Sequence, residues 1–117
     1  MRCLGATALL SVLFLGSVSA HAHSVLLRAS PGAESTVRTP PREVALWFTQ
    51  KLEASFSTVA VTNAAGERVD TGAVRVSGNV IRVSLRPIGD GTYRVTWSVL
   101  SVDSHTTQGA FHFHVRR

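Results

Sequence analysis

Residues 93–99 read Tyr-Arg-Val-Thr-Trp-Ser-Val, with a large apolar side chain at every second position. Residues 111–115, Phe-His-Phe-His-Val, repeat the same alternation near the end of the chain. Because successive side chains of a β-strand point to opposite faces, a period of two is typical of a strand with one buried face. The two segments therefore predict two half-buried strands that present aromatic and β-branched side chains to a core.

The rest of the chain from residue 24 onward has a similar β-rich pattern. Val44, Leu46 and Phe48 alternate within residues 43–48, and residues 56–62 are rich in β-branched side chains. Further strands are predicted at 24–27, 74–76 and 80–85, with turn-forming residues at 29–33, 39–41, 63–67, 77–79 and 87–91. About seven short strands at this spacing, with no segment of sustained helical period, predict an all-β fold built as a two-sheet β-sandwich.

The two tryptophans are both predicted to be core anchors. Trp47 and Trp97 each lie within a predicted strand. Trp97 shares the apolar face of residues 93–99, whereas Trp47 falls off the face formed by Val44, Leu46 and Phe48.

The first residues predict a secretory signal. Arg2 gives the N-terminal region a positive charge, and residues 9–18 are mostly apolar. Residues 17–20 have the small side chains that a signal peptidase recognises. The alternative is a membrane anchor, but the apolar run is shorter than the roughly 20 residues that span a bilayer. We expect residues 1–20 to be a signal peptide cleaved after Ala20, and residues 21–117 to form the mature domain.

The charge and the sulfur content of residues 21–117 limit which partners and metal ligands can be expected. The chain has a formal net charge of +5, and Arg2 contributes one of these charges, so +4 remains after cleavage. The arginines are scattered rather than clustered with aromatic residues, so we expect no nucleic-acid partner. The charge suits solubility, or weak attraction to an anionic membrane surface. The cysteine and the methionine, Cys3 and Met1, leave with the signal, so no disulfide, thiolate or thioether ligand is expected.

Histidine is confined to the two ends of the mature chain, at His21, His23, His105, His112 and His114. Cleavage after Ala20 would make His21 the N-terminal residue, with an α-amine and a ring Nδ1 that can chelate a metal together. The pKa of a free α-amine, near 7.7–8.0, is low enough for a metal to displace its proton at neutral pH. The alternative is that the cleavage site precedes a histidine by coincidence.

Asp103 and His105 supply the second half of a candidate site. In an extended segment, residues two apart point the same way, with stems roughly 6–7 Å apart. The His21 amine and ring, the His105 ring and the Asp103 carboxylate make an N3O set, which suits the tetragonal coordination of Cu(II). The alternative is an exposed loop with an ordinary turn aspartate and a solvated histidine.

The remaining histidines leave alternatives open. His23, third from the expected terminus, could bind Cu(II) through the amine, two deprotonated amides and its ring, in competition with the site described above. It could instead be a further ligand or a neighbour of the ligands. His112 and His114 are expected on the solvated face of the last strand, with a weaker accessory metal site as the alternative.

The chain resembles the CopC family of exported copper-binding proteins. The likeness covers nearly the whole mature chain, and its motifs are residues 21–23, 29–33, 44–49, 91–97 and 99–105, followed by Gly109, Phe111, Phe113 and Val115. It implies a seven-stranded Greek-key β-sandwich or barrel, immunoglobulin-like or cupredoxin-like, in the periplasm. It also implies a tight Cu(II) site made by the His21 amine and ring, Asp103 and His105.

Two departures from the family pattern affect the ligands. Some members carry a methionine-rich loop that binds Cu(I), whereas the mature chain has no methionine, so only the Cu(II) site carries over. Many members also place an acidic residue after the Phe-Thr pair, where this chain has Gln50, with Glu53 three residues further on.

The function expected from these features is a periplasmic copper carrier or buffer, exported through the Sec pathway, that binds one Cu(II) per chain. We expect a monomer without enzymatic activity, whose partner is an inner-membrane copper transporter of the CopD type. One alternative is a histidine-brace copper enzyme of the polysaccharide monooxygenase type. Another is an immunoglobulin-like adhesion module with incidental histidines.

Overall fold

The chain folds into a β-sandwich of two four-stranded sheets, in a computed structural model that describes Gly5 and residues 24–117. One sheet has the strand order β1-β3-β6-β5 and the other the order β2-β8-β7-β4. The strands are β1 (Leu26–Ser30), β2 (Thr36–Val37), β3 (Glu43–Phe48), β4 (Thr58–Thr62), β5 (Asp70–Ser77), β6 (Val80–Leu85), β7 (Gly91–Leu100) and β8 (Thr106–Val115). The predicted all-β sandwich is confirmed. Within the described residues, no helix is long and apolar enough to cross a membrane.

The core lies between the sheets and is built from the alternating positions that the sequence predicts. Leu46 and Phe48 of β3 are fully buried, as are Val95 of β7 and Phe113 of β8. Facing sheets bury every second side chain of each strand, so alternation is the local signature of this layered core. The same rule places the histidines at positions 112 and 114 on the outer side of β8.

The hairpin of β7 and β8 is the longest pairing among the strands of residues 24–117. Its register runs from Gly91 opposite Val115 to Leu100 opposite Thr106. Trp97 lies opposite Gly109, and its ring packs against the rings of Phe48 and Phe111, with centroids 6.2 and 6.1 Å away. This long, centrally packed hairpin carries residues 101–105 at its tip, and so fixes where they lie.

The structure corrects several details of the sequence prediction. The first strand begins at Leu26 rather than at Ser24, and it continues through Ser30, where a turn was expected. Phe56 was assigned to a strand but lies in a 3₁₀ turn, Ala54–Phe56, which precedes β4. The two-residue strand β2 was not predicted, because two residues are too few to show a period.

Trp47 is not a core anchor, contrary to the prediction. It lies on the outer face of the β1-β3-β6-β5 sheet, where it is partly exposed. The alternation of β3 places Leu46 and Phe48 inward and therefore directs Trp47 outward. Trp97 is packed against the core, as predicted.

Candidate metal centre

Residues 101–105 reverse the chain between β7 and β8, with Ser101 and His105 on either side of a three-residue hairpin loop, 102–104. The Ser104 amide donates to the Ser101 carbonyl at 2.9 Å, and the Ser101 amide donates to the His105 carbonyl at 3.0 Å. Ser104 has φ of 71°, in the left-handed region that glycine usually occupies. A turn followed by one left-handed residue is a common way to close a three-residue hairpin loop. The loop is thereby held in a defined shape at the end of the sandwich.

The loop brings Asp103 and His105 together. Asp103 Oδ2 lies 3.2 Å from His105 Nδ1, and about a third of each side chain is exposed to solvent. The sequence predicted this convergence from an extended segment, whereas the structure achieves it with a turn. The spacing of Oδ2 and Nδ1 is close to that of two neighbouring ligand atoms on one metal ion, about 3 Å for bonds of about 2 Å.

Ser101 supports this pair and was missed at the sequence level. Its side chain is fully buried, and its hydroxyl donates a hydrogen bond to Asp103 Oδ1. That hydrogen bond, together with contacts from His105, lowers the pKa of Asp103 below its usual value. The Asp103 carboxylate is therefore held ionised and oriented at neutral pH, as a metal ligand needs to be.

The N-terminal segment is fixed beside the same loop. Ser24 is buried, and its carbonyl accepts a hydrogen bond of 3.0 Å from Thr107 Oγ1, two residues beyond His105. The Val25 amide donates to Thr49 Oγ1 at 2.9 Å, and the Thr49 amide donates to the Val25 carbonyl at 3.0 Å. The chain thus leaves the described region next to the start of β8.

His21 and His23 lie outside the described residues. His21 precedes Ser24 by three residues, a stretch that spans at most roughly 10 Å when extended. Ser24 itself is held beside Thr107, two residues beyond His105.

His112 and His114 lie within β8, which begins just after His105. His112 is seven residues beyond His105, a separation of roughly 23 Å along a strand. Its Nδ1 lies 3.8 Å from Glu34 Oε1, and His114 Nδ1 lies 2.9 Å from Thr92 Oγ1. Neither histidine joins Asp103 and His105, and both occupy the predicted outer face of the strand.

Gln50 and Glu53 lie in the segment between β3 and β4, which runs beside the tip of the β7–β8 hairpin. The Glu53 amide donates to the Leu100 carbonyl at 2.8 Å, and the Val102 amide donates to the Lys51 carbonyl at 3.0 Å. Within residues 24–117, however, no group of three or more histidine, cysteine, aspartate or glutamate side chains comes together. Asp103 and His105 thus form a pair that no third side chain of these types joins within the described region.

Comparison with known proteins identifies the family. A family model described as the CopC domain matches residues 26–116. Copper resistance protein C of Xanthomonas campestris pv. juglandis is 30% identical over 124 residues, covering 98% of this chain and 97% of that protein. The structure of CopC from Methylosinus trichosporium OB3b matches with a TM-score of 0.74 and 28% identity, over 80% of this chain and 93% of that one.

A longer relative is the copper transport protein CutJ of Bacillus subtilis (strain 168). It is 30% identical over 111 residues, which cover 92% of this chain but only 20% of CutJ. The chain therefore spans about a fifth of the length of this relative. Since a CopC model matches most of the sequence and a relative matches over nearly its full length, the chain belongs to the CopC family of copper-handling proteins.

Proposed function

We propose that this protein is an exported carrier or buffer that binds one Cu(II) ion at the end of the sandwich where β7 turns into β8. The ligands would be the α-amine and ring of His21, the Asp103 carboxylate and the His105 ring. The observation that carries this proposal is the hydrogen bond from Thr107 to the Ser24 carbonyl, which ties the N-terminal segment beside the Asp103–His105 pair.

The chemistry of these donors favours Cu(II) over other divalent ions. Imidazole, amine and carboxylate are borderline to hard ligands that suit tetragonal N and O coordination, and Cu(II) heads the divalent affinity order. No thiolate or thioether remains in residues 21–117 to favour Cu(I). A chelating N-terminal residue added to the preformed Asp103–His105 pair would complete four donors.

Export follows from the same proposal. Only cleavage after Ala20 would give His21 a free amine, so the proposed site depends on secretion into the periplasm. Mass spectrometry of the exported protein should give a chain that begins at His21. A chain that begins at any other residue would contradict the proposed ligand set.

The ligand set can be tested by Cu(II) titration against a competing chelator, combined with EPR spectra. His105→Ala should lower Cu(II) affinity more than about 100-fold, beyond the usual effect of losing a group that only supports a ligand. His112→Ala is the matched control, because it removes a histidine from β8 at a position far from the Asp103–His105 pair. Equal affinities for the two variants, or an unchanged EPR spectrum for His105→Ala, would contradict the proposal.

The N-terminal amine needs a separate test, since His23 offers a second mode of binding. One glycine inserted between Ala20 and His21 would keep every side chain but would remove the amine from the histidine residue. We expect a loss of affinity comparable to that of His105→Ala. If His23→Ala instead abolishes binding while His105→Ala does not, binding through the backbone amides and His23 is the correct description.

We infer that the protein transports or stores copper without catalysing turnover, and that it exchanges copper with an inner-membrane transporter of the CopD type. Support for the partner comes from CutJ, in which a related stretch forms a fifth of a protein named for copper transport. A proposed Asp103 ligand would occupy a copper position that oxygen chemistry would need. Oxygen consumption by the copper-loaded protein with ascorbate should therefore not exceed that of free copper.

A further inference from the structure

The outer face of the β1-β3-β6-β5 sheet carries a connected network of arginines around one tryptophan. The Arg28 guanidinium carbon lies 4.5 Å from the centroid of the Trp47 ring, and that of Arg82 lies 5.4 Å from it. Arg82 continues to Glu43 with an N–O distance of 2.7 Å, and Glu43 also binds Arg75 at 3.1 Å. The network therefore crosses all four strands of the sheet, from β1 to β5.

The charge of this face is unbalanced. Glu43 is shared by Arg75 and Arg82, and Arg28 has no carboxylate within 4.0 Å among the described residues. The network thus carries three positive charges against one negative charge, a surplus of two. That surplus is half of the +4 that remains on the chain once Arg2 is removed.

The chemistry of the network suits a phosphate-bearing surface. One guanidinium group can bind two oxygens of a phosphate at once. The side chains of Arg75 and Arg82 are 59% and 39% exposed, so both can reach a ligand. Tryptophan and arginine are also the side chains that favour the boundary between water and lipid headgroups. A protein partner would be expected to cover an apolar centre, whereas this network has a single aromatic ring between charged groups.

We propose that the outer face of the β1-β3-β6-β5 sheet binds the surface of an anionic phospholipid bilayer. The strands then lie along the membrane, and the loop 101–105 at the end of the sandwich opens sideways, parallel to the bilayer. Attraction to anionic lipid contributes about fivefold in affinity per arginine near the surface and falls off within a Debye length. Binding is therefore reversible and weakens as salt is added.

The test is cosedimentation of the exported protein, stripped of metal, with phosphatidylcholine vesicles that contain or lack phosphatidylglycerol. Wild-type protein should bind only the anionic vesicles, and Arg28→Gln/Arg82→Gln should weaken binding about 25-fold. The matched control is Arg94→Gln/Arg116→Gln, which removes the same charge from exposed arginines outside this face. The control should lose less than about threefold, since distant charges are screened.

Fluorescence supplies a second readout that does not depend on the arginine variants. The fluorescence emission maximum of Trp47 should shift to shorter wavelength when the protein binds anionic vesicles. Trp47→Phe should abolish that shift, because the remaining Trp97 is packed against the core and does not contact the lipid. Circular dichroism checks that each variant is folded. Because the protein is free of metal, failure here leaves the copper proposal untouched.

Several results would overturn the membrane proposal. Equal losses in the two double variants would show attraction by net charge alone. A blue shift that persists in Trp47→Phe would place the contact elsewhere. Absence of vesicle binding at low salt would also overturn it, and capture by soluble polyglutamate in the same buffer would point to an acidic protein instead.

Discussion

Asp70 provides the sharpest test of how the two sheets are held together. Its side chain is fully buried at the start of β5, and its carboxylate accepts four hydrogen bonds. The Val61 amide of β4 donates at 2.8 Å and the Gly72 amide at 2.9 Å. The Arg68 guanidinium donates through two nitrogens, at 3.1 and 2.7 Å. One carboxylate therefore joins an edge strand of one sheet to an edge strand of the other.

Asp70→Asn keeps the shape of the side chain but replaces one accepting oxygen with an NH₂ donor. Two of the four donors then face a donor, and the remaining bonds lose their ionic character. Hydrogen bonds to a charged group contribute about 1.5–3 kcal/mol each, and breaking a buried pair costs about 3–5 kcal/mol. Because the Arg68 side chain is 57% exposed and water can solvate it, we expect a loss of about 3 kcal/mol in the free energy of unfolding.

The same carboxylate predicts a dependence on pH. Burial alone would raise the pKa of Asp70, but hydrogen bonds from Arg68, Val61 and Gly72 hold the pKa of this carboxyl below its usual range. A carboxyl with a lowered native pKa stabilises the fold above its unfolded pKa of about 3.9, and that stability is lost as the pH falls toward the native pKa. The gap between wild type and Asp70→Asn should therefore be constant near pH 7 and narrow below about pH 4.

Urea unfolding followed by tryptophan fluorescence measures both effects. Asp90→Asn is the matched control, because Asp90 is exposed and its contacts with the Arg117 amide are long, at 3.3 and 3.4 Å. Its stability should stay close to that of wild type at every pH. A loss under about 1 kcal/mol for Asp70→Asn at pH 7, or a gap that does not change with pH, would refute the reasoning.

Two further predictions concern packing and the metal centre. A Cβ atom at Gly109 would lie 2.2 Å from Cζ2 of Trp97, so Gly109→Ala should displace the indole ring. We expect the free energy of unfolding, measured in urea, to fall by about 2–3 kcal/mol. Gly89→Ala is the control, because a Cβ atom at Gly89 would meet no atom within 4 Å. Ser101→Ala removes the hydroxyl that orients Asp103. It should weaken Cu(II) binding about tenfold in chelator competition while leaving the fold intact. An unchanged Cu(II) affinity would show that this hydrogen bond does not matter to the site.

Sequence alone predicted the features of the fold that are local. The alternation in residues 93–99 and 111–115 is a direct consequence of strand geometry, and both segments lie within long strands. The order of the strands has no such local signature, because it depends on contacts between distant segments. β2 illustrates this: its two residues form a strand only by pairing in parallel with the end of β8.

Residue chemistry predicted part of the candidate site. Asp103 and His105 stood out because carboxylate and imidazole groups are common metal ligands. The structure places Asp103 Oδ2 3.2 Å from His105 Nδ1. Ser101 did not stand out, since serine is common in turns and its complete burial arises only when the hairpin packs. Trp47 was misplaced because an aromatic residue in a strand predicts burial, whereas stacking between arginines stabilises it on the surface.

The contact between the segment before β1 and the start of β8 follows from the order of strands and needs no metal. Ser24 leads into β1 of one sheet and Thr107 lies in β8 of the other, and their hydrogen bond joins residues 83 positions apart in the sequence. The entropy of closing so long a loop is lost when the core forms, before any ion binds. Under the proposed function, an incoming ion therefore meets donors that the fold has already gathered, so that binding requires little further ordering. This differs from small domains that fold only around their metal. The fold should accordingly survive changes to Asp103 or His105, which allows loss of copper binding to be measured in a folded protein.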